Sequence, residues 1–105
     1  AAAHTLRRNL AQPPRVAELA RHHGLTAGHF STLFQAAHGL APRAFLQRVR
    51  LDEARRRLRE TDATVKEIAD ACGYVGAPHF CRAFKAATGL PPRAWRLAEG
   101  QGLPS

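Results

Sequence analysis

Side chains with ligating chemistry in this 105-residue sequence include His22, His23, His29, His38 and His79, together with the thiols of Cys72 and Cys81. Zinc would need them paired at short fixed spacings, and no C-x2-C or H-x3-H pair of zinc-finger type occurs. Nor is there a nucleophile–base pair, a phosphate-cradling glycine loop or a carboxylate dyad. The residues imply no enzyme, no metal and no cofactor. What remains is cationic chemistry. Sixteen Lys and Arg oppose eight Asp and Glu, for a net charge of +8, and fifteen of the sixteen lie between Arg7 and Arg93. The charge therefore belongs to the folded body, which favours polyanions: nucleic acid or an anionic membrane surface.

Such cations need a scaffold, and the sequence supplies helices. Alternating β-branched runs are missing, while Ala, Leu, Arg and Glu dominate. "AAAHTLRRNLAQ" sets Leu6 and Leu10 one turn apart and predicts a first short helix, stopped at Pro13-Pro14. Val16, Leu19, Ala20 and His23 predict a second, ending at Gly24. Thr26 is a candidate N-cap for a third, which would bury Phe30, Leu33, Phe34 and Ala37 and stop at Gly39. Pro42 opens a long helix of roughly 18 residues, with Phe45, Val49, Leu51, Ala54 and Leu58 inward and Asp52–Arg56 and Glu53–Arg57 as outer pairs.

The pattern then restarts. Thr64-x-x-Glu67 is a capping box, Val65, Ile68, Ala69 and Cys72 repeat the second stripe, and Gly73 breaks it. Phe80, Ala83, Phe84 and Ala87 repeat the third stripe, Gly89 ends it, and Pro92 starts a last helix carrying Trp95. Residues 27–45 and 77–95 agree at eleven of nineteen positions, and 16–24 and 65–73 at four of nine. Chance would match roughly one in ten, so a helix–turn–helix unit is duplicated. Burying the apolar stripes turns Gly28, Thr32 and Gln35 outward in one copy, and Pro78, Arg82 and Lys85 in the other, with Ser31 and Cys81 flanking. None of these is acidic, as a face approaching phosphates requires. A helical hairpin of an ordinary bundle would normally mix charge signs there. A basic module docking an acidic protein or membrane surface is the alternative, but an interfacial helix needs an exposed apolar face, and the apolar stripes are needed internally.

With "EIADACGYVGAPHFCRAFKAATGLPPRAW" and the preceding "LDEARRRLRET", residues ~4–98 resemble the C-terminal DNA-binding domain of AraC/XylS-type bacterial transcription regulators. The resemblance implies an all-α fold of seven helices: two helix-turn-helix subdomains, 1–41 and 61–98, joined by a central helix over 42–60, with 99–105 a flexible tail. It implies sequence-specific binding of double-stranded promoter DNA in the bacterial cytoplasm, at two adjacent major-groove segments. It also implies contact with RNA polymerase, a separate effector or dimerisation domain in the parent chain, and no membrane partner. Carried over residue by residue, base reading falls to Gly28, Ser31 and Thr32 in the first unit and to Ala77, Pro78, His79, Cys81 and Arg82 in the second. Backbone contacts fall to His29, Gln35, Arg43, Lys85 and Arg93. Two departures stand out: Val75-Gly76 lacks a capping side chain, and Arg15 stands where Thr64 caps the other copy.

Overall fold

A computed structural model describes residues 2, 3, 7, 10–13 and 15–100. Six helices are bounded among them: α1 Val16–His22, α2 Ala27–His38, α3 Pro42–Glu60, α4 Val65–Ala71, α5 Gly76–Thr88 and α6 Pro92–Gly100. No strand occurs among the described residues, in line with an all-helical chain. Six of the seven expected helices are thus bounded among the described residues. The first helix expected from "AAAHTLRRNLAQ" falls largely outside the described residues. Ala2, Ala3 and Arg7 are helical, whereas Leu10, Ala11 and Gln12 form a bend. Gln12 precedes a proline, whose ring disfavours the helical region for the residue before it. At the other end, α6 runs to Gly100, two residues into the stretch read as a tail.

The chain divides into two units, residues 1–50 and 51–105, and the division falls inside α3. In the first unit Ala2, Ala3, Leu19, Ala20, Phe30, Phe34 and Phe45 form the buried cluster, with Val16, Leu25, Leu40, Leu46 and Val49 against it. In the second unit Ala54, Leu58, Ile68, Ala69, Cys72, Phe80, Phe84 and Trp95 form the cluster, flanked by Leu51, Ala63, Val65 and Tyr74. Cys72 is a small apolar filler there, fully buried and in no disulfide.

Each turn between paired helices closes the same way. Gly24, at φ +71°, donates to Arg21 O while Leu25 donates to Ala20 O. Gly73, at φ +87°, donates to Asp70 O while Tyr74 donates to Ala69 O. This pairing of bonds ends a helix through one left-handed residue, which glycine adopts without strain. Because α1 ends at His22, His23 is its C-cap and not part of its buried stripe. The His23 ring instead stacks on Phe30 at 5.9 Å.

On the wet side of α3 the expected Glu53–Arg57 pair forms and the expected Asp52–Arg56 pair does not. Arg55 meets Asp52 at 2.9 Å, and Arg57 meets Glu53 at 3.1 Å. The expected Asp52–Arg56 pair is absent because Arg56 binds Glu53 and reaches Glu60 at 3.2 Å. The Arg56 hydrogen bond holds the Glu53 carboxyl below its ordinary value, against the opposing push of partial burial.

The caps are unequal. Thr26 Oγ1 accepts from His29 N–H, and Thr64 and Glu67 form the full capping box, but Arg15 and Val75 provide no side-chain cap. Thr26→Ala is therefore expected to destabilise by about 1 kcal/mol in urea denaturation, while Arg15→Ala stays near zero. Glu67 accepts from the Thr64 backbone N–H, which lowers its pKa from 4.5. A depressed folded value stabilises the native state above the unfolded pKa, and that contribution is lost as pH falls through the lowered value. Glu67→Gln is expected to flatten this acid-side slope in denaturation midpoints measured between neutral pH and pH ~3.

Candidate nucleic-acid interface

What each recognition-type helix presents is set by which side it buries. Along α2, Phe30 and Phe34 lie 5.9 Å apart, and Phe34 meets Phe45 of α3 edge-on at 5.2 Å. Along α5, Phe80 and Phe84 lie 5.6 Å apart, and Phe84 meets Trp95 of α6 edge-on at 5.6 Å. Such edge-to-face contacts favour a particular ring geometry and so resist rotation of the helix about its axis. A residue two positions beyond an inward one points to roughly the opposite side, at ~100° per residue.

The exposure pattern follows. Gly28, His29, Thr32 and Gln35 of α2 are exposed and Ser31 is half-buried. Pro78, His79, Arg82 and Lys85 of α5 are exposed, with Ala77 and Cys81 half-buried. Arg43 and Arg93 are exposed in the first turns of α3 and α6. The structure thus leaves these positions exposed or half-buried at equivalent places in the two units. It corrects the width of the buried stripes: Leu33 is 48% exposed, and Ala37 and Ala87 are exposed as well. Two large rings per helix fill the line of contact, so Leu33, on the shoulder of that line, stays in solvent.

Electrostatics separates the basic residues into two groups that composition cannot tell apart. Arg7 lies over Phe45 at 5.3 Å and Arg59 over Trp95 at 5.8 Å, matched cation–π contacts on equivalent rings. Arg50 donates to Leu10 O at 3.1 Å, and Arg96 donates to Leu58 O at 3.0 Å and Thr61 O at 3.2 Å. Arg55, Arg56 and Arg57 are held by carboxylates. These guanidiniums serve the fold. Arg43, Arg82, Lys85 and Arg93, by contrast, are exposed and make no ion pair among the described residues. No Asp or Glu lies between Glu18 and Asp52 or between Asp70 and Glu99. Both α2 and α5 are therefore free of carboxylates along their whole length, and a polyanion would meet no repulsion there.

Finer chemistry was hidden in the sequence. The Thr32 hydroxyl donates to Gly28 O at 3.0 Å, so its proton is held by the helix. His79 Nδ1 accepts from Val75 N–H at 3.4 Å. No group of three or more His, Cys, Asp or Glu among the described residues could hold a metal ion. No helix among them is long and apolar enough to cross a membrane.

A duplicated helix-turn-helix with exposed, carboxylate-free second helices defines a nucleic-acid-binding class of domain. Comparison with known proteins makes it specific. A model of the family described as "Helix-turn-helix domain" matches residues 19–98. The chain is 40% identical over 60 residues to the HTH-type transcriptional regulator Rv1931c of Mycobacterium tuberculosis, covering 57% of this chain and 23% of that protein. It superposes with a TM-score of 0.84 and 26% identity on an AraC-type transcriptional regulator from Chromobacterium violaceum, covering 95% of this chain and 89% of the other. It matches the DNA-binding domain of AdpA, solved in complex with a target DNA, with a TM-score of 0.82 and 26% identity, covering 92% and 91%. The chain belongs to the helix-turn-helix domain family and, within it, to the AraC-type DNA-binding domains. That family consists of regulators and not enzymes.

Gly28 has an ordinary backbone, and a Cβ added there would meet nothing within 4 Å. The fold does not require this glycine. Gly28→Ala is expected to raise unfolding free energy by up to about 1 kcal/mol through helix propensity, read from the shift in urea midpoint.

Proposed function

We propose that the domain binds double-stranded promoter DNA sequence-specifically, with α2 and α5 lying in two adjacent major-groove segments of one duplex. The observation that carries this reading is the repeated outer face: Gly28, Thr32 and Gln35 on α2, and Pro78, Arg82 and Lys85 on α5, all exposed and none acidic. The similarity to an AdpA domain solved on its target DNA supports duplex DNA as the polyanion. The 19 residues of α3 amount to ~28 Å at the usual helical rise, and successive major-groove segments on one side of a duplex are ~34 Å apart.

The roles divide by reach. Arg82 is long, exposed and unpaired among the described residues, suited to the O6 and N7 edge of guanine. Ala77, Pro78, His79 and Cys81 surround it on the reading face. Lys85 and Gln35, one turn further along, meet phosphates, as do His29, Arg43 and Arg93. In the first unit Gly28, Ser31 and Thr32 are short. They read thymine methyls and water-bridged base edges, so the first unit specifies less than the second. DNA bending supplies further discrimination. The chain spans 23% of the first curated relative's length. In the parent protein, effector sensing, dimerisation and contact with RNA polymerase are assigned to parts beyond this domain and to its surface once bound.

Selection from random duplexes tests the reading. Specific duplex is expected to outcompete random duplex by ~10³ or more at ~150 mM salt, with affinity falling steeply as salt rises. Arg82→Ala is expected to relax the second half-site and weaken binding by roughly 5- to 150-fold, while Thr32→Ala changes the first half-site less. Equal competition by random duplex would refute sequence-specific binding. Equal relaxation of both half-sites would refute the unequal division of roles.

A further inference from the structure

Helix α5 starts without the hydroxyl that opens its counterpart. In α2, Thr26 Oγ1 accepts from His29 N–H at 3.2 Å. The equivalent residue of the second copy is Gly76, at φ +79°, and Val75 before it contributes no side-chain cap. Pro78 in the first turn has no N–H to be capped. What forms instead is the counterpart of the return bond in the α4 capping box, where Glu67 accepts the Thr64 N–H: Nδ1 of His79 reaches back four residues and accepts the Val75 N–H at 3.4 Å. The ring is also held from the side. Tyr74 packs edge-on against the imidazole, 5.5 Å between centroids at 76°, and itself rests on buried Phe80 at 5.0 Å. The imidazole is thereby tied both to the backbone ahead of α5 and to the core of its unit. A neutral imidazole whose Nδ1 accepts a hydrogen bond must carry its proton on Nε2.

We infer that His79 is a positioning residue: its Nδ1 holds the backbone N–H of Val75, the residue that precedes α5, fixes the start of that helix and selects the Nε2–H tautomer. The consequence for function rests on the reading of α5 as the base-reading helix. Ala77 and Pro78 of its first turn, and Arg82 one turn on, are aimed by a start that His79 holds. In the first copy the start of α2 is held differently, by Thr26 Oγ1 accepting the His29 N–H.

Three measurements on the full chain decide this. Nitrogen-15 imidazole spectra recorded without DNA, at a pH alkaline enough for imidazoles to be neutral, are expected to show His79 with an unprotonated Nδ1 and a protonated Nε2. His79→Asn places an acceptor oxygen where Nδ1 stands, whereas His79→Gln reaches the Nε2 position and lacks that acceptor. Amide exchange of Val75 is expected to be about three- to tenfold slower in the Asn variant than in the Gln variant, the range of one net hydrogen bond. Binding to the duplex selected by the unmodified chain is expected to be tighter for Asn than for Gln by a similar factor. A proton on Nδ1, equal Val75 exchange in the two variants, or tighter binding by Gln would each overturn the assignment. Should the unmodified chain prefer no duplex, the DNA reading falls, and the tautomer and exchange measurements decide the role of His79 independently.

Discussion

The edge-to-face contacts of Phe34 with Phe45 and of Phe84 with Trp95 are the constraint on which the rest depends. A short helix packed through aliphatic side chains can slide or rotate with small loss, because dispersion contacts are many and individually weak. Rings joined edge-on have a preferred geometry, and each here bridges two helices of one unit. Fixing those rings fixes the rotation of α2 and α5, and rotation alone decides whether Thr32 and Arg82 face solvent. The fully buried state of Phe80 and Phe84 shows how little slack the second unit retains. Large-to-small changes at such positions typically cost 3–5 kcal/mol, a large share of the stability of a small domain.

Around those rings the positive charge is sorted. Arg7 and Arg59 cover the faces of Phe45 and Trp95, and Arg50 and Arg96 bind backbone carbonyls within their own units. Arg55, Arg56 and Arg57 are matched against Asp52, Glu53 and Glu60 on α3. A guanidinium suits these tasks because its planar fork stacks on rings and donates along several directions at once. The cations left without carboxylate partners among the described residues include Arg82 and Lys85 on α5. The formal net charge therefore overstates how many basic groups face a ligand, and the distribution carries more information than the sum.

The two copies have diverged at their edges while keeping their centres. Both retain the Phe-x-x-x-Phe pair, the left-handed glycine of the turn and the left-handed glycine that ends the second helix. They differ in caps: Thr26 caps α2, the full capping box opens α4, α1 and α5 have no side-chain cap, and at α5 His79 instead binds the Val75 N–H ahead of the helix. They differ also in reach, with short side chains on the outer face of α2 and Arg82 and Lys85 on that of α5. Duplication preserved what packing demands and released what only a ligand can feel.

The sequence by itself determined the helices, their stops and the repeat, because these rest on local rules. Glycine at Gly24, Gly39, Gly73 and Gly89 can take a left-handed backbone, proline at Pro42 and Pro92 can open a helix, and Thr64 with Glu67 can close a box across three residues. It determined the outward placement of Thr32 and Arg82, since rotation per residue is a property of the helix. Tertiary structure decided what depends on partners distant in the chain or on competition among neighbours. The exposure of Leu33, the capture of Arg56 by Glu53 in place of Asp52, and the reach of Arg50 to a carbonyl forty residues away are of this kind. So is the bond from Val75 to His79, which forms where a glycine and a proline have removed the usual partners. Periodicity states which way a side chain points; only packing states what it finds there.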